Sequence, residues 1–289
     1  CSLRNVSVCT PTQAVGGERS KVNFLVYNGL GQARSELVEL PVNSPGKILD
    51  MSGKEVPSEL VDALPSINEF GHPAGGSKQT LLFKADLPAL GFRSYQLVHN
   101  SAPAKHAVPA RAADPLVLEN KFVRVEFCPK MKVIHRITDK TANLTVKAEQ
   151  SWQFYNSHPG NSHSMPSGAY VFRPFGTDAH PVVNGTPTLT VTHGDLADEA
   201  VQTFGPWVSQ RVRLEKGARH VEITYTVGPV PIEDGWGKEV ISRWSTELQN
   251  NGESLTDSNG REMIGRKRDY RQSWKYDAGN HGEPVAGNY

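Results

Sequence analysis

Two polar runs hold the side chains best equipped for chemistry. The denser is Thr256-Asp257-Ser258-Asn259-Gly260-Arg261-Glu262, followed by Arg266-Lys267-Arg268-Asp269-Tyr270-Arg271. Asp257, Glu262 and Asp269 could furnish paired carboxylates for proton transfer, and the arginine forks could bind hydroxyl or carboxylate groups. The bland alternative is a strand turn beside a solvated edge, with Asn259-Gly260 supplying the positive φ a turn needs. The second run is Ser167-Gly168-Ala169-Tyr170-Val171-Phe172-Arg173-Pro174. Small residues beside an aromatic let a ligand approach the backbone, with Tyr170 as a hydrogen-bonding platform; a packed strand with Tyr170 in the core fits as well. His158 and His163 flank Pro159-Gly160-Asn161-Ser162. Zinc needs three or four N, S or O ligands, and no Cys or carboxylate lies near this pair, so the stretch reads as a mobile surface loop. His99, His106, His135, His180, His193, His220 and His281 show no ligand spacing, and no HExxH, CxxC, P-loop or GxSxG pattern occurs. Gly71-His72-Pro73-Ala74-Gly75-Gly76-Ser77 is Gly-rich but lacks the strand–helix setting that cradles phosphate.

The elements that must position these groups are strands. The 289 residues allow two domains, and 26 glycines with 20 prolines punctuate the chain too often for long helices. Lys plus Arg number 31 against 30 Asp plus Glu, which removes the electrostatic case for a nucleic-acid partner. No apolar stretch approaches the ~18 residues a membrane helix needs, so no membrane partner is expected. Residues 22–27 are β-rich and stop at the turn pair Asn28-Gly29; 36–41, 80–84 and 92–98 repeat the theme. Residues 100–114 are small, Pro-bearing and nearly free of large apolar side chains, a linker composition. Beyond it, 116–118, 122–127 and 133–138 read as strands, the last turned back at Asp139-Lys140. The clearest hairpin joins 208–214 to 220–227 through Glu215-Lys216-Gly217-Ala218, with Val212 and Leu214 inward and Arg211 and Arg213 outward. Residues 238–251 could place Val240, Trp244 and Leu248 on a helix face, but their neighbours are strand-like and β is assigned. The expectation is an all-β chain: a small β-sandwich over 1–99, a linker over 100–114, and a larger antiparallel β-sandwich over 115–289, truncated at its C-terminal end.

Cys1 and Cys9 enclose a short loop that suits a hairpin-type disulfide, or they are two unrelated reduced thiols. Cys128, between Phe127 and Pro129, reads as a small buried hydrophobe. Sequons occur at Asn5, Asn143 and Asn184, the last followed by Thr186-Pro187. Sequon and disulfide candidate together favour an oxidising, secretory-pathway compartment. The first residue is Cys1, and the chain stops abruptly at Tyr289, so it reads as a fragment of something larger.

Several blocks carry a family resemblance. These are Ser167 through Pro174, Gly237-Lys238-Glu239-Val240-Ile241-Ser242-Arg243, Thr256 through Glu262, Arg268-Asp269-Tyr270-Arg271 and Glu283-Pro284-Val285-Ala286-Gly287-Asn288-Tyr289. With the Cys1 to Cys9 opening, Val26-Tyr27-Asn28 and Leu87-Pro88-Ala89-Leu90-Gly91-Phe92, they resemble lysosomal (acid) α-mannosidases of glycoside hydrolase family 38, in order over nearly the whole chain. The chain departs from the family pattern at Ser254-Leu255, where an aromatic often stands, and in the loop 157–166.

The resemblance implies the β-rich C-terminal half of a zinc-dependent retaining enzyme that hydrolyses terminal α-mannosides of N-glycans. The zinc and the nucleophile belong to an absent N-terminal catalytic half, the implied partner, so no catalytic or metal-binding residue is assigned here and the chain alone should be inactive. Tyr170 and Arg266 are the implied sugar-pocket residues, with Lys267 or Arg268 as alternatives to Arg266; Asp257 and Arg261 are further substrate-binding candidates. The resemblance also implies that Cys1 pairs with Cys9, that Cys128 stays a free core thiol, that the complete enzyme forms a homodimer, and that it resides in a lysosome or vacuole or is secreted. Two other functions compete: an independent lectin-like glycan binder, and a purely structural scaffold for the catalytic domain.

Overall fold

A two-residue period of apolar and polar side chains runs through most of the sequence, and it folds into antiparallel strands. The computed structural model describes residues 8–64, 76–77, 79–100, 107–109, 115–163, 165–168 and 170–268. One helical turn, α1 (Thr10–Gln13), precedes β1 (Lys21–Asn28), β2 (Arg34–Val42), β3 (Gly46–Asp50), β4 (Glu55–Val56), β5 (Ser58–Asp62), β6 (Gln79–Leu87) and β7 (Gly91–His99). Then come β8 (Val108–Pro109), β9 (Val117–Glu119), β10 (Val123–Phe127), β11 (Ile134–Asp139), β12 (Leu144–Asn156), β13 (His180–Pro181), β14 (Thr188–His193), β15 (Ala197–Thr203) and β16 (Val208–Glu215). β17 (Glu222–Val227), β18 (Lys238–Thr246), β19 (Glu253–Asp257) and β20 (Met263–Lys267) complete the series. The all-β expectation holds, and 238–246 is strand rather than helix. Among the described residues no helix is long and apolar enough to cross a membrane.

The chain divides into two compact units, one of residues 1–145 with 185–231 and the other of 146–184 with 232–289. The first opens with a small sandwich of two sheets, β1-β7-β3-β4 and β2-β6-β5. Ile48, Leu60, Leu81, Phe83, Ala85 and Leu97 are fully buried between them. Phe24, Phe83 and Tyr95 meet with ring centroids 5.0–5.9 Å apart. The Asn28-Gly29 turn is held by the buried Asn28 amide, which donates to the carbonyls of Gln32 (2.8 Å) and Pro88 (2.9 Å) and accepts from Leu30 N–H (3.1 Å).

A second core in the same unit lies between β9-β10-β11 and the sheet β17-β16-β15-β14-β8, with Leu118, Val125, Ile134, Ala200, Val212 and Leu214 inaccessible. The expected linker falls largely outside the described residues; within it Val108–Pro109 pairs antiparallel with β14. The 208–227 hairpin is present, and Val212 and Leu214 face the core as expected. Arg211 and Arg213 do alternate away from that core, yet they are 4% and 3% exposed rather than solvated. β16 is a central strand, and its far face is covered by the small sandwich. Glu39 on β2 accepts from Arg211 Nη2 (2.7 Å) and Arg213 Nη1 (2.6 Å), while Glu199, directly opposite Arg213 on β15, accepts from its Nε at 2.5 Å. Cys128 also departs from expectation: its thiol is free but half-buried at a turn, where it accepts from Met131 N–H at 3.4 Å.

In the second unit β12 pairs with β13 on one side and with β18 on the other, in register from Ala148↔Thr246 to Asn156↔Lys238. The hairpin β19–β20 follows.

Candidate functional site

Both polar runs singled out from the sequence lie in the second unit. The first hangs from the end of β12, where Ser157 bridges Pro174. Ser167 knots the base of the loop: its hydroxyl donates to Arg173 O (2.6 Å) and accepts from the N–H groups of Arg173 (2.9 Å) and His158 (3.2 Å). His158, expected in a mobile surface loop, is buried and organises this knot, its Nδ1 accepting from Gly160 N–H at 2.9 Å. Its ring lies 5.8 Å from Phe175, which lies 5.1 Å from Trp236, so aromatic packing supports the knot from below. His163 is exposed. Lys238 bonds both oxygens of Asp234 (2.8 and 2.7 Å), and this bond holds the Asp234 carboxyl below its ordinary range.

From this anchored base Tyr170 projects outward with a relative exposure of 102%. It is neither a strand residue nor a core residue. A phenol held this far from its own fold can bind a sugar only against another surface. Gly168 has open space where a side chain would stand, so no described part of this chain packs against it.

The second run forms β19–β20 and its turn. Asn259 and Gly260 both take positive φ (51° and 72°), the expected turn chemistry. Asp257 Oδ2 accepts from Gly260 N–H at 2.6 Å, so this carboxylate caps its own turn. The register Thr256↔Ile264 and Ser254↔Arg266 puts Arg266 and Thr256 on one face of the ribbon, joined Nε to Oγ1 at 3.1 Å. Asp257, Met263 and Lys267 take the opposite face, where Lys267 lies 3.4 Å from Glu253. A two-residue period therefore separates Lys267 from Arg266 and Arg268. Arg261 sits exposed in the turn, Arg266 is half-buried, and the ribbon leaves Leu255 and Met263 over 60% exposed. Asp269, Tyr270 and Arg271 lie outside the described residues, as do Cys1 and Asn5.

Tyr170 and Arg266 thus belong to one unit on two different protrusions, while Asp257 and Arg266 point to opposite sides of a ribbon. Among the described residues, no group of three or more His, Cys, Asp or Glu side chains is gathered to hold a metal.

Residues 118–284, which contain Tyr170, Asp257, Arg261 and Arg266, match the model of the glycosyl hydrolases family 38 C-terminal domain. The chain belongs to this family. It is 38% identical over 297 residues to human lysosomal alpha-mannosidase, covering 100% of this chain and 28% of that protein. Bovine lysosomal alpha-mannosidase is 40% identical over 299 residues (100% and 27%), and the alpha-mannosidase of Canavalia ensiformis 33% identical over 303 residues (100% and 31%). A solved structure of a glycosyl hydrolase family 38 protein from Enterococcus faecalis covers 89% of this chain and 36% of its own, at 13% identity and a TM-score of 0.48. The family 38 chain described here spans less than a third of the length of these curated relatives.

Sequence reasoning missed the buried charges at Glu39, Glu199, Arg211 and Arg213. One signal was available: Glu199 and Arg213 alternate in phase on neighbouring strands, as a cross-strand ion pair does. Arg213 also lines a polar cleft of about 440 Å³, but its charged walls neutralise one another through Arg34–Glu36, Lys84–Glu215 and Arg213–Glu39.

Proposed function

We propose that this chain is the C-terminal β-rich part of a zinc-dependent, retaining α-mannosidase that removes terminal α-D-mannose from N-glycans in a lysosome or vacuole, or after secretion. The observation that carries the reading is Tyr170, wholly exposed at the tip of an anchored loop in a chain less than a third as long as the alpha-mannosidases it matches. An aromatic held rigidly at its base and bare at its tip is suited to wall a cavity completed by another part of the polypeptide. Zinc and the nucleophile then reside in that other part, the N-terminal catalytic half. Tyr170 donates a hydrogen bond to a sugar hydroxyl or to the nucleophile, and the Arg266 guanidinium stabilises charge at the bound mannose. In this reading Cys1 pairs with Cys9, and the complete enzyme forms a homodimer.

Two measurements test it. The isolated chain should show no turnover of an aryl α-mannoside and no tight zinc binding; measurable hydrolysis would overturn the division of labour. In the complete enzyme, Tyr170→Phe should lower kcat/KM roughly tenfold and Arg266→Ala roughly a hundredfold, as the loss of one neutral and one charge-assisted hydrogen bond predicts. Urea midpoints should stay at the wild-type value. Unchanged kcat/KM in both variants would leave this chain a scaffold only.

A further inference from the structure

The two sequons among the described residues differ in what surrounds them. Asn143 occupies the last position of the tight turn between β11 and β12, with φ of 50°, a left-handed conformation that Asn tolerates well. The turn is rigid: Asp139 Oδ1 accepts from Thr141 N–H (2.8 Å), Thr141 Oγ1 (2.6 Å) and Ala142 N–H (3.1 Å). Residues 139–145 are all exposed, including Leu144 at 55%. A bulky substituent on Asn143 therefore displaces no buried group of this turn. Asn184 is exposed as well, but its sequon runs Asn184-Gly185-Thr186-Pro187. Proline restricts the residue before it to extended conformations and supplies no N–H. Thr186 is thereby hindered from the compact turn in which a sequon hydroxyl faces its Asn amide.

We propose that Asn143 carries an N-linked oligosaccharide, that Asn184 is left largely unmodified, and that the β11–β12 turn is consequently a solvent face of the full-length protein. The inference rests on the secretory-pathway routing proposed above. The co-reactant is a lipid-pyrophosphate-linked oligosaccharide. The Asn143 side-chain nitrogen forms a bond to its anomeric carbon, the carbon–oxygen bond to the pyrophosphate breaks, and the amide gives up one proton as lipid pyrophosphate leaves. Because transfer acts on the extending chain, the native bond between Thr145 Oγ1 and Thr138 Oγ1 (2.9 Å) does not compete with it.

The test is site occupancy in the full-length protein, expressed behind a heterologous signal peptide in eukaryotic cells and read by peptide mass spectrometry after enzymatic deglycosylation in heavy-oxygen water. Asn143 should be modified in most molecules and Asn184 in a small minority. Asn143→Gln and Thr145→Val should each abolish the Asn143 signal. The second variant keeps the left-handed Asn, so a folding defect in the first does not spoil the test. The glycan should come off under native conditions. Unmodified Asn143, equal occupancy of Asn184, or a glycan released only after unfolding would each overturn the proposal. The signal peptide supplies the routing and no readout involves mannoside hydrolysis, so such a failure is distinguishable from failure of the mannosidase reading.

Discussion

Arg213→Ala should destabilise the chain by about 3–5 kcal/mol, the cost of stripping one partner from a buried charge network. The Arg213 side chain is 3% exposed and joins two carboxylates on different strands, Glu199 on β15 and Glu39 on β2. Truncation leaves Glu199, itself 2% exposed, with only the Arg211 Nε at 3.8 Å as an ion-pair partner among the described residues. The network is not an optimised source of stability, since Arg211 Nε and Arg213 Nη2 are buried without a hydrogen-bond partner among the described residues. The joint variant Arg213→Met/Glu199→Met should therefore lose far less than Arg213→Ala, because an apolar pair leaves no uncompensated charge at that position. Acidity sharpens the test. Burial by itself would raise the Glu39 carboxyl, but Arg211 and Arg213 outweigh it and hold the group below its ordinary range. Its contribution is thus complete above the unfolded value, about 4.3, and is lost as pH falls through the folded value. Glu199 runs the other way: burial raises it beyond what Arg213 and Arg211 recover, so its contribution is present below the unfolded value and lost as pH rises through the folded one. Removing Arg213 lets both carboxyls rise. The deficit of Arg213→Ala, measured by urea unfolding, should shrink between pH 7 and pH 5. A loss under about 1 kcal/mol at neutral pH would show that the network is hydrated and carries little weight.

The error about these arginines shows what the sequence can and cannot display. Period-two alternation correctly placed Val212 and Leu214 on one face of β16 and Arg211 and Arg213 on the other. What covers the second face depends on β2, some 170 residues earlier, and no local pattern encodes such a partner. Short-range chemistry was legible: Asn28-Gly29 and Asn259-Gly260 turned where those residue pairs demand, and the hairpin at 208–227 closed in the expected place. His158 was misread because its neighbours are polar, whereas its burial comes from Phe175 packing on it. Tyr170 was open between core and platform, and only three-dimensional placement excludes the core. Arg266 entered by family resemblance; the ribbon register then divided it from Lys267, a distinction that follows from alternation alone once the strand is known.

The second large effect concerns a residue with no chemistry of its own. Glu59, on β5 and 2% exposed, inserts its carboxylate into the turn between β14 and β15. There it accepts from the N–H groups of Asp195 (2.7 Å), Leu196 (3.2 Å) and Ala197 (3.1 Å). One side chain from the small sandwich thus satisfies three N–H groups of this turn, that of the buried Ala197 among them, so this contact ties that sandwich to the second sheet system. Gly194 makes room for it: a Cβ there would lie 2.5 and 2.6 Å from the two Glu59 oxygens and 2.7 Å from the Ala197 carbonyl. Gly194→Ala must therefore expel the carboxylate or distort the turn, and should cost about 3 kcal/mol or more, within the range for buried hydrogen-bond loss and overpacking. Glu59→Ala should cost a similar amount by removing the shared acceptor of the three turn N–H groups. The two changes act on one contact, so their losses should not add. Once the carboxylate is gone, the added methyl no longer meets the two Glu59 oxygens, and the double variant should recover about 1 kcal/mol or more relative to the sum. A double-mutant cycle by urea unfolding measures this term directly. Strict additivity would mean that Gly194 is required by the turn's own backbone rather than by the incoming carboxylate, and the anchoring role of Glu59 would fall with it.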